Sequence, residues 1–109
     1  MAITFKLKTK ANVGVTTVGI YTAPAATTTV VIGITMANTS GSGVNVGVGI
    51  TRAGTTEDIK LLKNAPIPQG SSLEFMGGNK VVLETNDQIN VDSDTNNSVD
   101  AALTIMEIT

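Results

Sequence analysis

Two apolar runs joined by a glycine- and serine-rich link occupy residues 30–50, which read VVIGITMANTSGSGVNVGVGI. Large apolar side chains recur at every second position of each run: Val30, Ile32, Ile34 and Met36, then Val44, Val46, Val48 and Ile50. A period of two is typical of a strand that buries one face. Because residues 38–43 between the runs are turn-forming types, the pattern predicts a β-hairpin in which the two strands pair.

The opposite face of this predicted hairpin carries few side-chain atoms. Its positions are Gly33, Thr35, Ala37, Asn45, Gly47 and Gly49. Glycine inside a strand weakens the strand and often marks the close approach of another backbone or layer. We therefore predict a contact with another protein subunit on this face, at Gly33, Thr35, Gly47 and Gly49. A plain solvent-exposed face is the alternative interpretation.

Short strands separated by turns are predicted along the rest of the chain. The segments with strand-like patterns are residues 2–8, 15–22, 72–76, 80–84, 88–93 and 99–108. Residues 55–64, TTEDIKLLKN, fit either a short capped helix or a strand, and the β-rich surroundings favour the strand. Gly77, Gly78 and Asn79 predict a hairpin turn before the strand at residues 80–84.

The last two strands have the clearest alternation. At residues 88–93, Ile89 and Val91 are predicted to point inward. One face of the strand at residues 99–108 carries Val99, Ala101, Leu103 and Ile105. Met106 and Ile108 have the opposite parity, which predicts either a bulge or a second buried face near the C-terminus.

Together these segments give eight or nine short strands with a turn signal about every ten residues, which is typical of an antiparallel sandwich or jelly roll. We predict an all-β fold, a single jelly-roll-like antiparallel β-sandwich over residues 1–109. Residues 1–10 are predicted to form an N-terminal arm or an edge strand.

Composition limits both the core and the partners. The chain is 41% hydrophobic but only 3% aromatic, so its core must be aliphatic. The formal net charge of -2 gives no overall attraction to nucleic acid or to an anionic membrane. No stretch approaches the ~18 apolar residues of a membrane-spanning helix, and the N-terminus lacks the apolar run of a signal peptide. We expect neither nucleic acid nor a membrane as a partner.

The charges are unevenly distributed along the chain. Lys6, Lys8 and Lys10 crowd the N-terminus, and every charged residue after Lys80 is acidic. The first strand and the last third of the chain are therefore expected either to pair, within one subunit or between neighbours, or to form two solvated edges.

Side chains suited to catalysis are scarce. The chain has no histidine, which removes the usual general base, the commonest metal ligand and the Ser-His and Cys-His nucleophile pairs. It has no cysteine either. Asp92, Asp94 and Asp100 suggest a calcium site outside the EF-hand pattern, or a hydrolase acid pair at the first two, but a solvated loop is the favoured interpretation. We predict no enzyme activity and no cofactor.

Several motifs resemble a known group of proteins. They are IYTAPA at residues 20–25, VIGI at 31–34, ANTSG at 37–41, LKNAPIPQGSSLE at 62–74 and VLE at 82–84. From about residue 20 to its end the chain is similar to small β-rich virion structural proteins of tailed bacteriophages. The resemblance implies a head-decoration (cement) subunit or a tail-associated domain, and it supplies no functional residue.

The function predicted from these observations is that of a non-enzymatic virion protein that stabilises an assembled shell. Its predicted partners are further copies of itself and the major capsid protein, and its predicted location is the virion, after synthesis in the host cytoplasm. The first strand, with Phe5, Lys6 and Lys8, is predicted to add to the sheet edge of a neighbour. The alternative is a tail tip or fibre domain that binds a host surface receptor through residues 38–43 and 92–98.

Overall fold

The computed structural model describes residues 2–55, 57–75 and 80–109, and in these residues it contains nine β-strands and no helix. The strands are β1 (Ile3–Val13), β2 (Val18–Thr22), β3 (Thr28–Asn38), β4 (Val44–Thr51), β5 (Asp58–Ile67), β6 (Ser72–Phe75), β7 (Val81–Leu83), β8 (Gln88–Ser93) and β9 (Val99–Ile108). The all-β prediction is confirmed, and so is the strand interpretation of the ambiguous segment that became β5. The described part of the chain offers no helix that could cross a membrane.

The strands form two antiparallel sheets that pack as a sandwich. Sheet A has the order β1-β9-β3-β6, with β7 also paired to β3, and sheet B has the order β2-β8-β4-β5. The first half of the chain pairs with the second half in nested fashion: β1 with β9, β2 with β8, β3 with β6 and β7, and β4 with β5. This arrangement is a jelly roll, so the predicted fold class is confirmed.

The predicted hairpin at residues 30–50 is wrong, because β3 and β4 belong to opposite sheets. The link between them crosses from one sheet to the other, and the buried Asn38 holds this crossing by donating hydrogen bonds to Ser42 O (2.8 Å) and Ile67 O (3.0 Å). Apolar residues alternate in both strands because both face the same core, β3 from one sheet and β4 from the other. Alternation reports one buried face and does not identify the strand's partner.

A second correction concerns β3 itself. The β3–β9 ladder shifts register between Val31 and Gly33, which is the mark of a β-bulge. The extra residue reverses the alternation, so Val31 is buried whereas Val30 and Ile32 are only half-buried. The prediction placed Val30 and Ile32 on the core face with Ile34, and it is wrong for those two residues.

The core is aliphatic and is filled from both sheets. Its largest fully buried side chains are Ile34, Met36, Ile67, Leu83, Ile89, Leu103, Ile105, Val13, Val31, Val46, Val48 and Val91. The inward faces predicted for β8 and β9 are confirmed. Near the C-terminus β9 keeps an unbroken register with β1, so Met106 and Ile108 lie on the outer face and Glu107 points inward.

Strands β6 and β7 are successive pieces along one edge of β3. β6 pairs with residues 34–37 of β3, and β7 pairs with residues 29–31, both antiparallel to it. They are therefore not the two arms of a hairpin. The hairpin turn predicted at Gly77, Gly78 and Asn79 lies outside the described residues.

Candidate functional site

The outer face of sheet A carries one row of apolar side chains, which runs across β1, β9, β3 and β7. The register pairs Phe5 with Met106, Met106 with Val30, and Val30 with Val82. This face points away from the core, because the alternate positions of β9 are the buried ones. Phe5 is 66% exposed and Val82 is 55% exposed, so the row is open to solvent at both ends.

Further apolar side chains flank this row. Ile3 is 57% exposed and pairs with Ile108, and Leu7 is 64% exposed and pairs with Thr104. We call the whole set the apolar outer face, and its members are Ile3, Phe5, Leu7, Val30, Val82, Met106 and Ile108. No acidic or basic side chain interrupts the central row.

The apolar outer face holds most of the exposed large hydrophobic residues. Six such residues are exposed in the described parts of the chain, and four of them belong to this face. Soluble monomers rarely expose contiguous apolar patches larger than a few hundred Å², and larger patches mark sites of protein or membrane interaction. The face is therefore a candidate interaction surface.

Further along the strands the same sheet face is formed by smaller side chains. Thr9, Ala102, Thr35 and Glu74 make one row by register. A shallow hollow of about 350 Å³ lies beside this row, and Lys10 and several alanines line it. Lys10 and Glu74 therefore stand at opposite edges of sheet A, the first on β1 and the second on β6.

The core-facing side of β1 is basic. Lys6 Nζ lies 2.8 Å from Glu107 Oε1, and the Glu107 side chain is only 8% exposed. The Tyr21 hydroxyl donates a hydrogen bond of 2.6 Å to Glu107 Oε2 and lies 2.8 Å from Thr29 Oγ1. The pairing expected between the basic first strand and the acidic last third therefore occurs within one subunit, at Lys6 and Glu107.

This polar network shifts two ionisation equilibria. The hydrogen bond from Lys6, followed by that from Tyr21, holds the pKa of Glu107 below its usual value despite burial. Burial, followed by the hydrogen bond to the Glu107 carboxylate, raises the pKa of Tyr21 to about 12. Glu107 is therefore ionised at neutral pH, and its charge is balanced by Lys6. The network attaches β1 to the interior.

β1 is the outermost strand of sheet A, and its lysines protect that edge. By register with β9, Lys6, Lys8 and Lys10 lie on the core-facing side of β1. Inward-pointing lysines on an edge strand oppose the addition of another strand, and like charges directly opposite each other are destabilising. Addition of residues 2–8 to a neighbour's sheet stays a prediction, and these lysines oppose it.

The glycines of β4 lie beneath polar side chains of sheet B. Gly47 and Gly49 are buried. A Cβ at Gly49 would lie 3.0 Å from both Asn90 Oδ1 and Ile59 O, and a Cβ at Gly47 would lie 2.6 Å from Asp92 Oδ1. Close packing within the subunit therefore accounts for both glycines.

The residues predicted as an interface are divided among three surfaces. Phe5, Gly33 and Thr35 lie on the outer face of sheet A, and Lys6 and Lys8 lie on the core-facing side of β1. The glycines of β4 lie on sheet B, so the single face predicted for β3 and β4 does not exist. A contact role for these residues stays a prediction.

A cluster of charges ties together the turns near the chain termini. The buried Asp87 accepts hydrogen bonds from the backbone N–H groups of Ala53 (2.8 Å) and Glu84 (3.0 Å), and Arg52 Nε lies 3.2 Å from it. Burial opposes ionisation, but these N–H groups and the Arg52 charge hold the pKa of Asp87 below its usual value. All the partners are internal, so the cluster has a structural role.

The acidic residues considered as a calcium or catalytic site have separate partners. Asp92 interacts with Thr17 and Lys60, Asp94 accepts from the backbone of Asn45, and Asp100 accepts from the backbone of Asn12. Among the described residues, no group of three His, Cys, Asp or Glu side chains could hold a metal ion. The three aspartates order loops and strand ends.

The two loops considered for receptor binding meet at one end of the sandwich. Thr39 donates from its backbone N–H (2.8 Å) and from its hydroxyl (3.3 Å) to Ser98 O. This end is opposite the chain termini, because Ala2 and Thr109 exchange backbone hydrogen bonds beside the other set of turns.

The sequence contains the residues of the apolar outer face, but in two segments at opposite ends of the chain. Ile3, Phe5 and Leu7 alternate in β1, and Met106 and Ile108 break the inward parity of β9. Only the register, which pairs these two strands, shows that the two observations describe one surface.

Comparisons with known proteins find similarity in structure alone. No protein-family model and no curated protein sequence matches the chain. The fold resembles a chain of the infectious bursal disease virus particle, with a TM-score of 0.59 and 15% identity over 96% of this chain and 30% of that one. It also resembles a chain of the cyanophage Pam1 capsid asymmetric unit, with a TM-score of 0.53 and 15% identity over 95% of this chain and 84% of that one.

A third match comes from a different kind of assembly. Bacillus endospore appendages, described as disulfide-linked pili, match with a TM-score of 0.56 and 14% identity over 98% of this chain and 88% of that one. At these identities the matches show the fold alone, a jelly roll that viral capsid chains and a spore pilus share. The chain spans only 30% of the length of the infectious bursal disease virus chain.

Proposed function

We propose that the chain is a non-enzymatic virion structural protein, a capsid decoration (cement) subunit that adds to an assembled shell and stabilises it. The observation that carries this proposal is the apolar outer face, an exposed surface on a fold that capsid chains share. Its partners are further copies of itself and the major capsid protein. Its location is the virion.

The size of the chain fits that of a capsid component. This chain covers 84% of the cyanophage capsid chain, so a protein of nearly the same length occurs in that capsid asymmetric unit. The mechanism would be thermodynamic: a subunit that binds the assembled shell and not its separated parts shifts the equilibrium toward the assembled state. No catalytic step is required.

The match to the spore pilus also favours a chain that assembles with others. The link between subunits must differ, however. The matched appendages are described as disulfide-linked pili. The present chain contains no cysteine and cannot form such a link. An assembly of this chain therefore uses contacts other than disulfides, and the apolar outer face carries four of the six exposed large hydrophobic residues in the described parts of the chain.

A tail tip or fibre domain is the second candidate function. The observation that favours it is the meeting of residues 38–43 and 92–98 at one end of the sandwich, through hydrogen bonds from Thr39 to Ser98. Loops clustered at one end of a rigid scaffold are common binding sites. This candidate requires few copies in each particle, whereas decoration requires many.

The decisive experiment adds the purified protein to heads that lack it. A decoration subunit sediments with the heads until a fixed number of sites is filled, and it raises the temperature at which the heads release their genome. Separated tails serve as the matched control. Protein that sediments with tails and not with heads supports the second candidate, and protein that binds neither overturns both.

A further inference from the structure

We propose that two copies of this chain exchange residues 2–10, so that this segment of each copy pairs with β9 of the other. We call residues 2–10, which comprise Ala2 and most of β1, the arm. The inference rests on the part of the proposed function that names further copies of the chain as partners, and not on the contact with a shell. The contact is the ladder along the edge of β9, and it can be tested on the isolated protein.

Both faces of the arm are open to solvent. Ile3, Phe5 and Leu7 on its outer side are each more than half exposed. On its other side Lys8 is half-buried, and every other residue of the arm is exposed. The arm therefore contributes no side chain to the apolar core, and it is held along one edge by β9. A strand with so little burial can leave the fold without opening the core.

The place that the arm occupies on β9 contains a buried charge that the arm neutralises. The Glu107 side chain is only 8% exposed, and Lys6 of the arm lies 2.8 Å from its carboxylate. Backbone hydrogen bonds between Ala2 and Thr109 extend the ladder. When the arm leaves, the buried carboxylate loses its cation, and this penalty favours filling the place again. The arm of a second copy brings Lys6 to the same position.

The arm ends at a break in the ladder. The register between β1 and β9 shifts between Lys10 and Val13, and Asn12 within this break has a φ of 58°. At Val13 the chain is fixed to the sandwich, because Val13 is only 1% exposed and its carbonyl oxygen accepts a hydrogen bond of 3.0 Å from Ser98 N. Residues 11–12 are therefore the hinge of the arm.

The backbone of the hinge favours the exchanged form. In that form residues 11–12 are extended and carry the arm across to the second copy, so Asn12 leaves the left-handed region, which is unfavourable for residues other than glycine. The exposed hydrogen bond from Asn12 N to Asp100 Oδ1 is replaced by one with water. Contacts between the arm and β9 are the same in both forms. The hinge and the protein concentration therefore decide which form is populated.

Exchange differs from the addition of β1 to an occupied sheet. An added strand would lie beside the lysines of the β1 already in place, which oppose it. An exchanged arm replaces that strand, and its Lys6 meets Glu107 instead. The charge that opposes addition at the outer edge is therefore neutralised on β9, which selects a second copy of this chain as the occupant.

Mixed single-cysteine variants distinguish exchange from pairing within one copy, because the chain itself contains no cysteine. Leu7 and Thr104 lie directly opposite each other on β1 and β9. Leu7→Cys and Thr104→Cys chains are unfolded in urea, refolded together and oxidised. We expect a disulfide-linked heterodimer, identified by mass spectrometry, because an exchanged arm places the two sulfurs side by side. Its yield is expected to exceed that of the control at least roughly tenfold.

The matched control is a mixture of Val15→Cys and Thr104→Cys chains. Val15 is 56% exposed and Leu7 64% exposed, but Val15 lies beyond the hinge and outside the arm. Random collision links both mixtures equally, and pairing within each copy links neither mixture. Either result overturns the exchange. Circular dichroism confirms that each variant is folded.

Substitutions at the hinge test its role in the exchange. Asn12→Val is expected to lower the dimer dissociation constant in sedimentation equilibrium, because a β-branched residue disfavours a positive φ. Asn12→Gly is expected to raise it, because glycine adopts that backbone conformation readily. Each change is expected to be roughly three- to tenfold. Equal dissociation constants, or the opposite order, would overturn an exchange that pivots at residues 11–12.

Two outcomes separate this inference from the proposed function. Chains that exchange arms but never bind heads leave the exchange standing and overturn decoration. Chains that bind heads but give no heterodimer above the control leave decoration standing and overturn the exchange.

Discussion

Glu107 places a negative charge inside the sandwich at the point where β1 is attached. Its carboxylate is held between Lys6 of the edge strand and Tyr21 of the opposite sheet. Removing one partner of a buried charged group leaves the other without compensation, which costs more than the pair itself contributes. The parity of β9 places Glu107 inward with Leu103 and Ile105, so its position could be predicted from the sequence, but its partners could not.

The ion pair with Glu107 makes Lys6 more important for the stability of the fold than Lys8 on the same strand. Lys6→Met is expected to lower the free energy of unfolding by roughly 1–3 kcal/mol, because the buried carboxylate loses a charged hydrogen-bond partner. Lys8→Met on the same strand is the control and is expected to change stability by no more than about 0.5 kcal/mol. Urea unfolding at pH 7 measures both. Equal losses in the two variants would show that the Lys6–Glu107 contact has no special role.

Tyr21 gives the protein an alkaline limit of stability. Its folded pKa is raised to about 12, above the usual pKa of about 10 for an unfolded tyrosine. Because the folded pKa is raised, the contribution of Tyr21 to the free energy of unfolding is complete below pH 10 and is lost as the pH rises toward 12. The Tyr21→Phe variant is expected to be less stable than the wild type at pH 8. Its free energy of unfolding, measured as a function of pH, is expected to lack the steep fall that the wild type shows between pH 10 and 12. An unchanged fall in the variant would contradict this assignment.

At the scale of the strands, sequence periodicity determined which residues are buried more reliably than which strands pair. The predicted bounds of β8 and β9 agree with the structure, because strict alternation is followed by clear turn residues. The pairing of β3 with β4 was wrong, because a strand alternates in the same way whether its neighbour lies beside it or across the core. Gly33 is a local signal for the bulge at Val31 to Gly33, because glycine inside a strand often marks a bulge, but a glycine there marks the close approach of another layer equally well.

The glycines of β4 are explained at this scale by packing between strands. Gly49→Ala is expected to lower stability by roughly 1–3 kcal/mol, because the new Cβ would lie 3.0 Å from the carbonyl oxygen of Ile59. Gly41→Ala is the matched control, because a Cβ there meets nothing within 4 Å. This control is expected to be neutral or slightly stabilising. Thermal unfolding of the two variants compares them, and equal stability would contradict the packing explanation.

At the scale of the whole molecule, the two sheets have different outer surfaces. Sheet B is covered by polar contacts such as that between Lys60 and Asp92, whereas sheet A exposes an uninterrupted apolar row. The jelly roll places the N-terminal strand beside the C-terminal one, and this pairing is what creates the apolar outer face. The candidate site was therefore beyond the reach of local sequence patterns, because it depends on the longest-range pairing in the fold.

Copy number in the particle tests the central claim most directly. Under the proposed function, quantitative mass spectrometry of purified virions compares the abundance of the chain with that of the major capsid protein. A decoration subunit that covers the shell is expected at a fixed stoichiometry close to that of the major capsid protein, amounting to hundreds of copies in each head. Absence of the chain from purified particles, or its presence in only a few copies, would contradict the account.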